Sequence, residues 1–130
     1  MKGRLLTVGK EHGRECWYCG LDDYDASDRY LRCTLEHLMN RDHPQANDLQ
    51  NLRLAHAICN NFASNHTFAN KVQIRYLMRE DITVRGRLMT KAGSKSLRRT
   101  YGIDSKKRRR IGVRVRLSYR KKKHVQVKRT

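Results

Sequence analysis

The chain has 130 residues and carries 30 lysine and arginine side chains against 12 aspartate and glutamate side chains, a formal net charge of +18. This length allows one domain, or one small domain with an extension. No apolar run approaches the roughly 20 residues that would cross a bilayer, which excludes a membrane-spanning protein. Only 38% of the residues are hydrophobic, so we expect a metal, a disulfide or a partner to add to the stability of a modest core.

The cellular compartment is indicated by the N-terminal residues and the cysteines. Residues 1–16 contain no apolar stretch long enough for the core of a signal peptide. We therefore expect a reducing compartment, the cytoplasm, where paired cysteines bind metal more often than they form disulfides.

The predicted elements begin with a tight turn at 16–20 and an acidic loop at 22–28. Alternating apolar and polar residues predict a first strand within 29–38 and a second at 51–55, separated by a polar loop that contains the only proline. A helix is predicted from residue 56 and another over 68–79. The second helix is predicted to carry a wide apolar face that includes Val72, Ile74, Tyr76, Leu77, Met78 and Arg79.

Charge divides the chain into two parts. Residues 1–90 carry 13 basic and 11 acidic side chains, whereas residues 91–130 carry 17 basic side chains and one acidic side chain. This predicts a balanced domain over 1–90 and a basic extension over 91–130, in which the alternation at 111–119 favours a β-ribbon, with partial disorder as the alternative. The extension suits a nucleic acid; a solvated tail, a nuclear-import-like cluster and an acidic membrane surface are the other interpretations.

The cations of the extension that are predicted to contact nucleic acid lie in three groups. They are Lys106, Lys107, Arg108, Arg109 and Arg110, then Arg114 and Arg116, then Arg120, Lys121, Lys122 and Lys123.

Three of the four cysteines and one histidine have the spacing of metal ligands. Two residues separate Cys16 from Cys19, and two separate His56 from Cys59. Two such pairs predict a closed Cys₃His site for structural zinc, of the kind found in treble-clef folds. The alternative is that His56 caps a helix and Cys59 is a core thiol. We interpret Cys33 as a core residue.

A second set of residues lies between these pairs. The segment TLEHL at 34–38, the segment NDLQNL at 47–52, and the pair Cys59 and Asn60 occur in order inside the zinc pairs. Together they resemble the HNH endonuclease family over residues 16–66. The resemblance implies an α+β fold, a small treble-clef or ββα-metal domain stapled by zinc, found in prokaryotic or phage proteins.

The resemblance also implies roles for four residues. His37 would be the general base, and Asn51 would hold the loop after the first strand and orient His37. Glu36 and Asn60 would hold a catalytic divalent cation such as Mg²⁺. The chain departs from the family pattern in having Asn60 where histidine is frequent, an HNN-type variant, and Glu36 where aspartate is frequent.

The chemistry of these side chains agrees with phosphodiester hydrolysis. A histidine titrates near neutral pH and suits a general base, while carboxylate and amide oxygens suit a hard cation. We therefore predict a metal-dependent endonuclease that acts on DNA, most simply double-stranded, as a monomer or a homodimer, by nicking or by double-strand cleavage. The alternative function is a non-catalytic zinc module that binds DNA or RNA.

Overall fold

The computed structural model describes residues 2–81 and 83–101. Over these residues the fold is α+β, with one two-stranded antiparallel sheet and five helices. In chain order the elements are α1 (Arg4–His12), β1 (Cys33–His37), a 3₁₀ turn (Leu49–Asn51), β2 (Leu52–His56), α2 (Ala57–Ala63), α3 (Phe68–Glu80), α4 (Val84–Leu88) and α5 (Lys91–Tyr101).

The two strands pair antiparallel with Cys33 opposite His56 and His37 opposite Leu52. Both predicted strands are confirmed, but the first is shorter than predicted. Its predicted beginning is a turn, because the Asp28 carboxylate accepts hydrogen bonds from the backbone N–H groups of Tyr30 and Leu31, at 2.7 and 3.3 Å. An aspartate that satisfies nearby backbone donors in this way favours a turn over a sheet ladder.

The core consists of two groups of buried apolar side chains. The smaller group joins Val8 of α1 to Leu52 and Leu54 of β2, so α1 covers the sheet. The larger group contains Cys16, Tyr18, Cys19, Ala55, Ile58, Cys59, Phe62, Ala63, Ile74, Leu77, Met78, Val84, Leu88 and Leu97. Three of the four candidate metal ligands, Cys16, Cys19 and Cys59, thus belong to the main core, and the fourth, His56, is fully buried.

The helices predicted from residue 56 and over 68–79 are confirmed as α2 and α3. The predicted apolar face of α3 is wrong at Val72 and Tyr76, which are 41% and 42% exposed, and at Arg79, which is also exposed. The buried face of α3 instead carries Asn70, Lys71, Ile74, Leu77 and Met78. Asn70 and Lys71 are therefore buried, although the pattern of apolar residues in the sequence did not predict their burial.

The core continues past residue 90, where the sequence predicted a boundary. Leu97 of α5 is fully buried in the larger group, so the first residues of the predicted extension are helical and packed. The predicted β-ribbon and the predicted nucleic-acid contacts at 106–123 lie outside the described residues. Within 2–81 and 83–101, no helix has the length and apolar character needed to cross a membrane.

Candidate functional site

The two predicted ligand pairs meet in space. Cys16, Cys19, His56 and Cys59 are all buried, and their ligand atoms lie within 4.8 Å of one another. Tetrahedral zinc with bonds of about 2.3 Å places neighbouring sulfur ligands about 3.8 Å apart. The cluster could therefore hold a metal ion such as zinc, with three sulfurs and one imidazole as ligands.

Three pieces of backbone bring the cluster together. The turn at 16–20 is closed by a hydrogen bond from Gly20 N–H to the Cys16 carbonyl at 2.9 Å, and Gly20 has a φ of +83° that an L side chain rarely adopts. Trp17 N–H donates to the Leu54 carbonyl at 2.8 Å and ties this turn to β2. His56 ends β2 and Cys59 lies in the first turn of α2.

The electrostatics of the cluster favour a cation at its centre. Hydrogen bonds from Cys19 and Cys59 hold the pKa of the Cys16 thiol far below its usual value. Burial acts to lower the pKa of His56, but hydrogen bonds to Cys16 and Cys19 raise it to about 10. Hydrogen bonds to Cys16 and Cys19 raise the pKa of the Cys59 thiol far above its usual value, so Cys16 is the sulfur that carries negative charge most readily. A buried thiolate needs a positive partner, which a bound metal ion would supply.

The outer side of His56 is also held. Its Nδ1 lies 3.4 Å from Cys19 Sγ and faces the cluster, whereas its Nε2 lies 3.2 Å from the Asp23 carbonyl oxygen. Arg85 binds the Asp23 carboxylate through two hydrogen bonds of 2.7 and 3.1 Å. Arg85 Nη1 also lies 3.1 Å from Nε2. A metal-bound histidine commonly donates its second ring N–H to a carbonyl or carboxylate, and the Asp23 carbonyl is the acceptor here, since a guanidinium only donates.

A polar cavity of about 270 Å³ lies beside the cluster at the end of β1. Glu36, His37 and Asn60, three of the four residues predicted to be catalytic, line it. The other lining residues are Leu35, Asn40, Arg41, Ser64, Asn65 and Lys71. The fourth predicted residue, Asn51, does not line it and instead lines a separate cavity together with His43.

Glu36 is 3% exposed and both of its carboxylate oxygens have partners. Tyr18 Oη donates a hydrogen bond to Oε2, and Lys71 Nζ lies 3.4 Å from Oε1. Burial raises the pKa of Glu36, and the Lys71 ammonium acts in the opposite direction. Each carboxylate oxygen can accept more than one bond, so these contacts leave Glu36 able to bind a cation.

His37 is half-buried, and its Nε2 lies 3.2 Å from Asn47 Oδ1. Because an amide oxygen only accepts hydrogen bonds, this contact places the proton of a neutral imidazole on Nε2 and leaves Nδ1 as the basic nitrogen. Arg4 of α1 donates to the Asn47 carbonyl oxygen, so α1 braces the residue that orients His37.

Asn51 is buried and joins the two ends of the loop at 38–51. Its Oδ1 accepts from Met39 N–H at 2.7 Å, and its Nδ2 donates to the carbonyls of Met39 and Ala46 at 3.1 and 2.7 Å. The side chain thus fixes the loop that carries Asn47. It reaches His37 through that loop.

Asn60 follows Cys59 in α2. Its Nδ2 donates to the Leu35 carbonyl and to Thr34 Oγ1, at 3.0 and 3.1 Å. Since both contacts use the amide nitrogen, Oδ1 is the atom of Asn60 that can bind a cation. The oxygen donors of Glu36 and Asn60 fit a hard divalent ion that keeps several water ligands.

Sequence reasoning missed two residues of the site. Lys71 was not selected because it lies within a predicted helix. It is three residues before Ile74 and seven residues before Met78, so its position is on their buried face. Asn47 was seen only as part of the NDLQNL segment. Its contact with His37 depends on how the loop folds back, and spacing along the chain does not encode that.

No protein-family model, curated protein or solved structure matches this chain.

Proposed function

We propose that this protein is a metal-dependent DNA endonuclease of the HNH type, with a treble-clef or ββα-metal core stapled by zinc at Cys16, Cys19, His56 and Cys59. The observation that carries the proposal is the shared cavity. A carboxylate, an imidazole with a free basic nitrogen and an amide oxygen line one polar space, and a pure binding module has no need for that combination.

In this proposal His37 is the general base. Nδ1 takes a proton from a water molecule as the water oxygen forms a bond to phosphorus, and the bond from phosphorus to the 3′ oxygen breaks. The departing 3′ oxygen takes a proton from solvent and His37 later returns its proton to solvent, so the products are a 5′-phosphate and a 3′-hydroxyl. A divalent cation such as Mg²⁺, held by Glu36 and Asn60, would neutralise the phosphate and stabilise the leaving oxygen.

The charges around the cavity suit a phosphodiester. Arg41 lines it together with the Glu36–Lys71 ion pair, and a cation at a polar cavity attracts a nucleic-acid backbone. We propose that the cations at 106–123 add further backbone contacts, which position DNA without reading its sequence. One candidate active site within the described residues predicts nicking by a monomer and double-strand cleavage by a dimer.

The second candidate function is a non-catalytic zinc module that binds DNA or RNA. The pairing of both Glu36 oxygens, with Tyr18 and with Lys71, favours it, because a carboxylate so engaged also has a purely structural explanation.

Cleavage of supercoiled plasmid separates the two functions. We expect the parent protein to nick plasmid with Mg²⁺ and not with EDTA, and His37→Ala to be inactive. His43→Ala is the matched control, because His43 lies in the loop that follows β1 and lines a different cavity. Cleavage by His37→Ala equal to that of the parent, or no cleavage by the parent with Mg²⁺, Mn²⁺, Co²⁺ or Ni²⁺, would contradict the nuclease and leave the binding module.

A further inference from the structure

Lys71 is a buried cation inside the candidate active site. It lies on α3 and is 3% exposed. Its Nζ donates to the His37 carbonyl oxygen at 2.6 Å and lies 3.4 Å from Glu36 Oε1. The ammonium therefore touches the carboxylate proposed to bind a catalytic cation and the backbone of the proposed general base.

This contact changes what Glu36 offers to a divalent ion. The ammonium already balances the charge of the carboxylate, and a cation bonded to Oε1 lies close to Nζ because that nitrogen is 3.4 Å from the oxygen. Both side chains are almost fully buried, so solvent screens the repulsion between the two positive charges weakly.

A phosphate group alters this balance. Glu36 and Lys71 together contribute no net charge, so a divalent ion beside them leaves two positive charges in a largely buried space. A phosphodiester in the same cavity contributes one negative charge and oxygen ligands of its own, as substrate phosphates commonly do for Mg²⁺. Binding of the ion and of the phosphate should therefore favour one another.

We propose that Lys71 makes divalent-cation binding at Glu36 depend on a bound phosphate group. Lys71 is then a positioning residue that keeps the site from holding a cation strongly until DNA arrives. The inference rests on the proposed function, since it assumes that Glu36 binds the cation.

The test measures Mn²⁺ affinity by the electron paramagnetic resonance of free Mn²⁺, using the full zinc-loaded chain with His37→Ala so that DNA is bound but not cut. In this background we expect a short DNA duplex to tighten Mn²⁺ binding about tenfold, a typical size for coupling between two ligands. Adding Lys71→Met should tighten binding without DNA by a similar factor and remove most of the DNA effect. Lys71→Arg keeps the charge and should keep the coupling.

Two controls isolate the site. Lys10→Met removes an exposed lysine of α1 and should leave Mn²⁺ binding unchanged. Glu36→Gln removes the carboxylate, so the Mn²⁺ that its complex with DNA still binds measures binding by the DNA itself.

Equal Mn²⁺ affinity with and without DNA in the Lys71-containing protein overturns the proposal, whether or not Lys71→Met folds. So does a folded Lys71→Met protein that binds Mn²⁺ no more tightly. Absence of Glu36-dependent binding in every protein, with DNA present, contradicts the proposed metal-dependent function as well.

Discussion

Tyr18 donates a hydrogen bond to Glu36 Oε2. Tyr18 lies between the two cysteines of the first ligand pair and is fully buried, so one side chain connects the metal cluster to the polar cavity. Burial, and next the charge of Glu36, raise the pKa of Tyr18 well above its usual value. Tyr18 therefore stays protonated and remains a donor at every pH at which the protein would act.

We expect Tyr18→Phe to lower the free energy of unfolding by about 1–3 kcal/mol, because it leaves a buried carboxylate oxygen without this partner. Urea unfolding measures the change. Tyr76→Phe is the matched control, since Tyr76 is 42% exposed, and it should change stability by less than about 0.5 kcal/mol. A bound metal content that fell with Tyr18→Phe would show that the hydroxyl supports the cluster rather than Glu36.

The sequence predicted the strands and the metal ligands of the candidate site, but it did not predict every helix that packs against them. Alternation identified β1 and β2, and the ligand spacing identified the cluster. Helix α1 was not predicted, because only Val8 and Gly9 of its nine residues are buried and so few buried positions give no clear period. Leu97 is likewise a single apolar anchor among cations, and its burial depends on tertiary packing.

Zinc should be required for the fold. We expect the purified protein to contain about one zinc ion per chain, and a strong chelator to unfold it, because binding of structural zinc is coupled to folding. Cys59→Ser should lose the metal, while Cys33→Ser, at a cysteine outside the cluster, should retain it. Elemental analysis and circular dichroism report the two effects. A folded protein without metal would contradict the assignment.

Arg85 should support the metal through Asp23 and through its own contact with His56 Nε2 at 3.1 Å. We expect Arg85→Met to weaken zinc binding about 10- to 100-fold, the usual effect of losing an outer partner of a ligating histidine, because Asp23 would lose the guanidinium that holds it beside His56. Competition with a chromogenic chelator measures this affinity. Arg87→Met is the control on the same helix, at an exposed position. Equal zinc affinity in both variants would mean that the Asp23 carbonyl alone orients the ring.

Asn51→Ala should loosen the loop at 38–51. It removes three hydrogen bonds at a buried position, and we expect a loss of about 1–3 kcal/mol in stability together with a fall in plasmid nicking, because Asn47 would no longer hold His37. Zinc content should not change. Nicking at the parental rate by a folded Asn51→Ala protein would show that the loop does not orient the base.

Truncation should separate the fold from the basic segment. We expect a chain of residues 1–101 to stay folded and to lose most of its DNA affinity and its salt dependence, since residues 102–130 carry 13 basic side chains and one acidic side chain. A chain of residues 1–90 should be less stable, because it also lacks the buried Leu97. Binding titrations at several salt concentrations and thermal unfolding measure these effects. Unchanged DNA affinity and salt slope for residues 1–101 would exclude the segment from binding.

Cys59 and Asn60 are consecutive residues of α2, and they serve the metal cluster and the cavity respectively. Each residue of a helix is rotated about 100° from the one before it, so one inserted residue between them would turn Asn60 away from the cavity while Cys59 stayed in place. The start of α2 therefore tolerates no insertion between these two residues, because that change would separate the metal cluster from the cavity.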